Sequence, residues 1–418
     1  MSGGLHLSEG FGVELEYMIV DRGTLSVLPV ADEVLRGAAG SIVSEVELGE
    51  LCWSNELVLH VIELKTNGPA RSLASLPAFF QRDVERINGL LRPLDGRLMP
   101  TGMHPWMDPE SETRLWPHEY SPVYGAFDRI FGCRGHGWSN LQSVHLNLPF
   151  QGDEEFGRLH AAIRLVLPLI PALAASTPVV GGAVTGLMDN RLEFYRGNAR
   201  RVPAVSGRVV PERAFSQAEY MERILEPIYA AIAPHDPDGV LRHEWLNARG
   251  AIARFDRDTI EIRLLDSQEC PLADVAACAL VSAAVEALVS ERWSSHEAQR
   301  EWEEEPLEAI LLSTIEDAES ARIRDERYLE MFGLAGRGGR LAGEVWRHLS
   351  SLVEGGPFED PLRIILEEGT LARRILRALE PAAGRPAMRR VYSDLCESLG
   401  QGRMFDPGGG SGTIRIPS

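Results

Sequence analysis

Gly12-Val13-Glu14-Leu15-Glu16-Tyr17 alternates apolar and acidic side chains. Successive side chains of an extended strand point to opposite faces. Glu14 and Glu16 therefore share one face, and Val13, Leu15 and Tyr17 share the other. The pattern recurs at Ser143-Val144-His145-Leu146-Asn147-Leu148, where His145 and Asn147 oppose three apolar residues. It recurs again at Thr259-Ile260-Glu261-Ile262-Arg263-Leu264, where Glu261 and Arg263 share a face. A further run, Val58 to Lys65, carries Glu63, with Glu56 just ahead of it. Such strands build a sheet with one greasy side and one side bearing carboxylates, a histidine and an arginine. Like charges at short range repel, so the cluster is tolerable where cations sit in it. Oxygen-rich sites of this kind suit Mg²⁺ or Mn²⁺.

The strands do not alternate regularly with helices, and each has a polar face. That favours an antiparallel sheet over a parallel one, whose strands are usually apolar on both faces. The fold class expected is α+β: a curved antiparallel sheet, helices packed on its apolar side, and chemistry on the open concave side.

The 418 residues carry 42 basic and 61 acidic side chains, a net charge of −19, which argues against a general binder of nucleic acid or anionic membrane. Cys52, Cys133, Cys270, Cys278 and Cys396 form no CxxC pair, so reduced thiols in a cytoplasmic protein are expected. Residues 1–10 show neither the basic nor the apolar region of a signal peptide. The apolar stretch Ala273 to Ser290 contains Asp274 and Glu286 and reads as a buried helix rather than a membrane span.

One catalytic domain is expected over 1–400, with a sheet-forming core over 1–271 and a mostly helical part over 272–400. A flexible Gly-rich tail is expected over 407–418. Helices are expected near 72–92, 153–175 and 216–233, the last opened by a Ser216/Glu219 capping box. Prolines between 96 and 125 predict an ordered loop, with β structure returning over 243–265. The Gly-rich stretch 333–343 reads as a helix–helix connection. Gly181-Gly182 reads as a turn, and Trp106 and Trp116 as packing residues.

Taken in order, these motifs resemble a known family. Gly12 to Tyr17 is similar to the opening strand of the bacterial and plant-type glutamate–cysteine ligases and their carboxylate–amine ligase relatives, in the glutamine synthetase-like superfamily. Val61-Ile62-Glu63-Leu64-Lys65-Thr66 resembles the second acidic strand, and Gln142 to Asn147 the histidine strand. Ala175-Ser176-Thr177-Pro178 with Thr185-Gly186 and Arg191 resembles the substrate-loop region, and Thr259 to Asp266 the closing Glu-x-Arg strand. The resemblance spans roughly residues 9–290.

It implies an open half-barrel fold and an ATP-dependent ligase that joins the carboxylate of glutamate to the amine of cysteine through an acyl phosphate, releasing ADP and phosphate. A different amine is the alternative, and a non-catalytic binding subunit a further one. The cofactors implied are ATP and Mg²⁺ or Mn²⁺. The partners are small molecules, with no nucleic acid or membrane; homo-oligomerisation is left open. Glu14, Glu16, Glu63, His145 and Glu261 would be metal ligands. Glu56 would join them only if a bulge or turn intervenes, because its spacing from Glu63 puts the two on opposite faces of an unbroken strand. Arg263, with Glu261, would act on the transferring phosphoryl group. Asn147, Arg191, Arg249 and Arg254 would bind ATP or substrate. Segments 102–108 and 131–138 match no ligase motif, which leaves cysteine specificity open.

Overall fold

The computed structural model describes residues 4–336, 338–380 and 384–407. The expected tail beyond Pro407 lies outside them. Ten strands matter for the site: β1 (Gly12–Asp21), β2 (Glu45–Leu48), β3 (Leu51–Asn55), β4 (Val61–Thr66), β5 (Gly96–Met99), β6 (Ser143–Pro149), β7 (Val179–Val180), β8 (Ala183–Val184), β9 (Ala251–Arg254) and β10 (Thr259–Asp266). Eight of them form one sheet in the order β2-β3-β4-β1-β6-β10-β9, with β5 also pairing with β1. All of its pairings are antiparallel and it does not close on itself.

The alternation sets which face is buried. Val13, Leu15, Tyr17, Val144, Leu146, Leu148, Ile260, Ile262 and Leu264 are each 0% exposed and lie in the main core. Each such aliphatic side chain contributes about 1.5–3 kcal/mol by leaving water. The helices Leu76–Leu91, Gly152–Val166 and Pro271–Val289 cover this side. The last is long and apolar enough to cross a membrane, but its side chains are buried within the molecule, as expected for a core helix. Asp274 on that helix accepts a 2.6 Å hydrogen bond from the Tyr17 hydroxyl, tying helix to sheet.

Toward its C-terminal end β1 turns Met18 and Val20 into a second, smaller core with Met99, Trp106 and the helices Leu371–Leu379 and Arg385–Gln401. Trp116 is buried in the main core, so both tryptophans pack. Gly181 and Gly182, both at positive φ, turn the β7–β8 hairpin.

Several local expectations need correction. The segment 96–125 is not loop throughout: β5 opens it, and a short helix, Pro109–Glu112, follows. Residues 243–250 are not β; Glu244–Leu246 is a single 3-10 turn. Ser216 does cap its helix, but Glu219 reaches back to the Phe215 amide rather than to that of Ser216. Within 333–343, Arg340–Leu341 pairs with Arg322–Ile323.

Candidate active site

Strand register brings the polar faces together. Glu14 lies opposite His145 across β1 and β6, Glu16 opposite Glu63 across β1 and β4, and Asn147 opposite Glu261 across β6 and β10. Gly12 allows β1 to approach this closely, since a Cβ there would stand 2.9 Å from the Cβ of Asn147. Glu56 is the conditional case. The second acidic run is not one strand: β3 ends at Asn55, β4 begins at Val61, and the intervening turn swings Glu56 back to the cluster.

Ligand atoms of Glu14, Glu63 and His145 lie within 4.8 Å of one another, as do those of Glu16, Glu56 and Glu63. Glu63 belongs to both groups, so the two sites adjoin. His145 Nδ1 is 3.0 Å from Glu14 and 3.6 Å from Glu261, while its Nε2 is 2.9 Å from the Ser143 hydroxyl. Ser143 donates from both its amide and its hydroxyl to Glu16.

The electrostatics show how strongly the carboxylates act on one another. Burial, then the charge of Glu14, pushes Glu63 up to about 7 against the pull of Lys65. Burial, then the charges of Glu16 and Glu63, raises Glu56 well above the usual carboxylate range. Burial would raise Glu14 as well, but the hydrogen bond and charge of His145 hold it low. Burial pulls His145 down most strongly, but its bond to Glu14 and the charges of Glu16 and Glu261 together leave its pKa raised. Carboxylates that must take up protons to coexist are carboxylates that divalent cations would keep ionised. The donor set, carboxylate oxygens and one imidazole, fits Mg²⁺ or Mn²⁺.

The arginines differ in their commitments. Arg263 falls where β10 slips register against β6, beside Glu261 at 2.8 Å; bulges of this kind re-aim side chains. Burial opposes its charge most strongly, but Glu261, with Tyr195, Glu14 and Glu16, raises its pKa overall. Arg254 contacts Glu261 at 3.2 Å and Asp256 at 3.2 Å. Arg191 is buried on Asp266 at 2.5 Å, where Ser176 and Thr177 also donate, so the loop segment 175–191 is anchored to the end of β10. Arg249 is not at the site. It is spent on a two-pronged pair with Glu212, at 2.5 and 2.6 Å, and on the carbonyl of Ala204.

Two cavities meet at the cluster. One of about 610 Å³ is reached by Glu16, Glu56, Ser143, His145, Arg191 and Arg263. The other, about 420 Å³, is reached by Glu14, Lys65, Asn147 and Arg257. Sequence reasoning assigned no role to Ser54, Lys65 or Ser143. Lys65 contacts Glu63 at 3.2 Å and Glu45 at 2.7 Å, and Ser54 donates to Glu63 at 2.5 Å. The signal for Lys65 was present, since it shares a strand face with Glu63.

The open antiparallel sheet with its flanking helices is a fold shared with a solved glutamate–cysteine ligase. The structure of the Francisella tularensis enzyme in complex with AMP superposes with a TM-score of 0.62, covering 94% of this chain and 88% of that one at 10% identity. The model of glutamate-cysteine ligase family 2 (GCS2) matches residues 10–394, and the chain belongs to that family. An uncharacterized protein of Archaeoglobus fulgidus is 40% identical over 260 residues, 62% of this chain and 69% of that protein. A Rubrobacter xylanophilus protein provisionally named glutamate–cysteine ligase 2-3 is 28% identical over 184 residues, 44% of this chain and 47% of that one. A Corynebacterium glutamicum protein provisionally named glutamate–cysteine ligase 2 is 26% identical over 263 residues, 61% of each chain. The chain thus spans about half to two thirds of the length of these relatives.

Proposed function

We propose that the protein is an ATP-dependent carboxylate–amine ligase that activates the carboxylate of glutamate as an acyl phosphate and joins it to an amine. The family's own description makes cysteine the first amine to consider. A single observation carries the reading: two adjoining acidic groups share Glu63 where two cavities meet, with Arg263 on the same face. A carboxylate is a poor acyl donor, because oxide would have to leave. Transfer of the γ-phosphoryl group from ATP to a carboxylate oxygen releases ADP and leaves an acyl phosphate. The amine nitrogen then forms the C–N bond, phosphate departs, and the nitrogen's proton passes to water.

Glu14, Glu63, His145 and Glu261 would hold one cation, and Glu16, Glu56 and Glu63 another. Bound Mg²⁺ would neutralise phosphate oxygens during transfer. Arg263 would add a planar fork of donors to the transferring phosphoryl group. The smaller cavity, with Lys65 and Arg257 beside Glu14, would take the nucleotide. The larger one would take carboxylate and amine, with Arg191 at its inner end. The fold, without a specific activity, also allows a non-catalytic subunit; retention of the whole acidic set beside Arg263 favours the enzyme. The test is purified protein with ATP, Mg²⁺ and glutamate against a panel of amines, reading phosphate release and product mass together. Stoichiometric phosphate and amide product are expected. A folded sample that neither binds nor turns over MgATP overturns the reading.

A further inference from the structure

The larger cavity has two unlike halves. Its inner half holds the carboxylates, His145 and both arginines. Its outer half is walled by Tyr120, Tyr124, Phe127, Trp138 and Trp245. The Phe127 ring centroid lies 5.2 Å from that of Trp138 and 5.9 Å from that of Trp245, so three rings make one continuous apolar surface. Two of the rings are held by hydrogen bonds. Tyr124 Oη accepts from Asn55 Nδ2 at 3.0 Å, and Trp138 Nε1 donates to the Asn198 carbonyl at 3.1 Å. Tyr120 stands at the mouth, 53% exposed, on a left-handed backbone with φ of 71°. That conformation is costly for a residue with a side chain.

Charge decides what can occupy this wall. Among the described residues lining the cavity, Arg191 and Arg263 are the only Lys or Arg side chains, and both belong to the inner half. Arg191 is already paired with Asp266 and Arg263 with Glu261, so neither has charge to spare for a carboxylate beyond the two of glutamate. An amino-acid amine would bring a third carboxylate, for which the aromatic half offers no Lys or Arg and only the His243 imidazole stacked on Trp245 at 5.2 Å, a poor exchange for hydration. A flat apolar group, by contrast, packs well against Phe127 and Trp245.

Resting on the ligase reading above, we infer that the amine substrate is a primary amine with an aromatic tail and no carboxylate of its own. Its nitrogen faces the inner half and attacks the acyl carbon. The C–N bond forms as the C–O bond to phosphate breaks, and the lost proton goes to water. The tail lies along the Phe127–Trp138–Trp245 wall.

The test is calorimetric titration of the full chain, with Mg²⁺ and a non-hydrolysable ATP analogue present, using 2-phenylethylamine and cysteine as probes. The expected result is 2-phenylethylamine binding at least about tenfold more tightly than cysteine. Trp245→Ala should weaken it about tenfold or more while moving cysteine less than about threefold, and Trp245→Phe should restore most of the loss. Cysteine binding as tightly as 2-phenylethylamine overturns the inference, as does equal weakening of both probes by Trp245→Ala. If the nucleotide analogue binds and 2-phenylethylamine does not, the inference falls while the ligase reading stands. If the nucleotide analogue itself does not bind, both fall.

Discussion

Glu14 and His145 face each other across neighbouring strands, Oε2 to Nδ1 at 3.0 Å, and the same imidazole nitrogen lies 3.6 Å from Glu261. One histidine edge thus holds carboxylates contributed by two strands that never touch, since β6 separates β1 from β10. Glu14→Gln and Glu261→Gln each remove a charge while keeping shape. Both are expected to lower MgATP-dependent phosphate release by about a hundredfold or more, with the thermal unfolding transition retained. Near-wild-type rates in both variants would remove the metal assignment.

Arg263→Lys keeps the charge and loses the fork. Lysine offers a point charge in place of paired, coplanar donors. The expected loss is about a hundredfold in kcat with little change in the KM for ATP, because the interaction is made chiefly in the transition state. Steady-state kinetics with ATP varied will show it. A rise in KM with kcat unchanged would mean that Arg263 only binds.

How much of this was legible follows from physical range. Glu14, Glu16, His145, Asn147, Glu261 and Arg263 were placed on shared faces because period-two alternation is a local property of a strand. Glu56 was not resolvable, because its position depends on a turn splitting β3 from β4, and β2 and β3 went unread as strands. Arg249 shows the opposite failure. Nothing local distinguishes an arginine aimed into a cavity from one spent on Glu212, which lies 37 residues away in the chain. The aromatic wall was invisible for the same reason. Tyr124, Trp138 and Trp245 come from segments that only tertiary packing brings together.

Arg249→Met is accordingly expected to act on stability. Arg249 is buried, and its partner Glu212 is 33% exposed, so the freed carboxylate regains part of its hydration. The cost is expected at about 2 kcal/mol, below that for a fully buried pair. Urea unfolding will measure it. The phosphate-release rate per folded molecule should stay within about threefold of wild type, a spread below 1 kcal/mol in activation free energy.

Metal binding should be steeply pH-dependent. Glu63 titrates near pH 7, far above a free carboxylate, because burial and Glu14 disfavour its charge. As pH falls through about 7 it takes up a proton and ceases to be a ligand shared by both acidic groups. Mg²⁺ affinity should therefore fall by up to about tenfold per pH unit below that point. The Mg²⁺-induced rise in melting temperature should be large at pH 8 and small at pH 6, and absent at both in Glu63→Gln.

His160 offers a stability test far from the chemistry. It is fully buried and stacked on Phe156 at 5.5 Å, and its pKa falls to about 3, first through burial and then through the charge of Arg164. The unfolded chain binds this proton near pH 6.5 and the folded chain does not until about pH 3. Between those values the unfolded state holds more protons, so the contribution of His160 to stability falls as pH falls. The raised carboxylates Glu56, Glu63, Asp189 and Asp274 work in the opposite direction, so the wild-type curve alone mixes the two. His160→Phe isolates the histidine. Whatever constant offset the new ring's packing adds, the stability difference between variant and wild type should shift toward the variant by about 1.4 kcal/mol per pH unit below pH 6. Parallel urea-unfolding curves for the two proteins between pH 7 and pH 5 would show that His160 is already charged in the folded state.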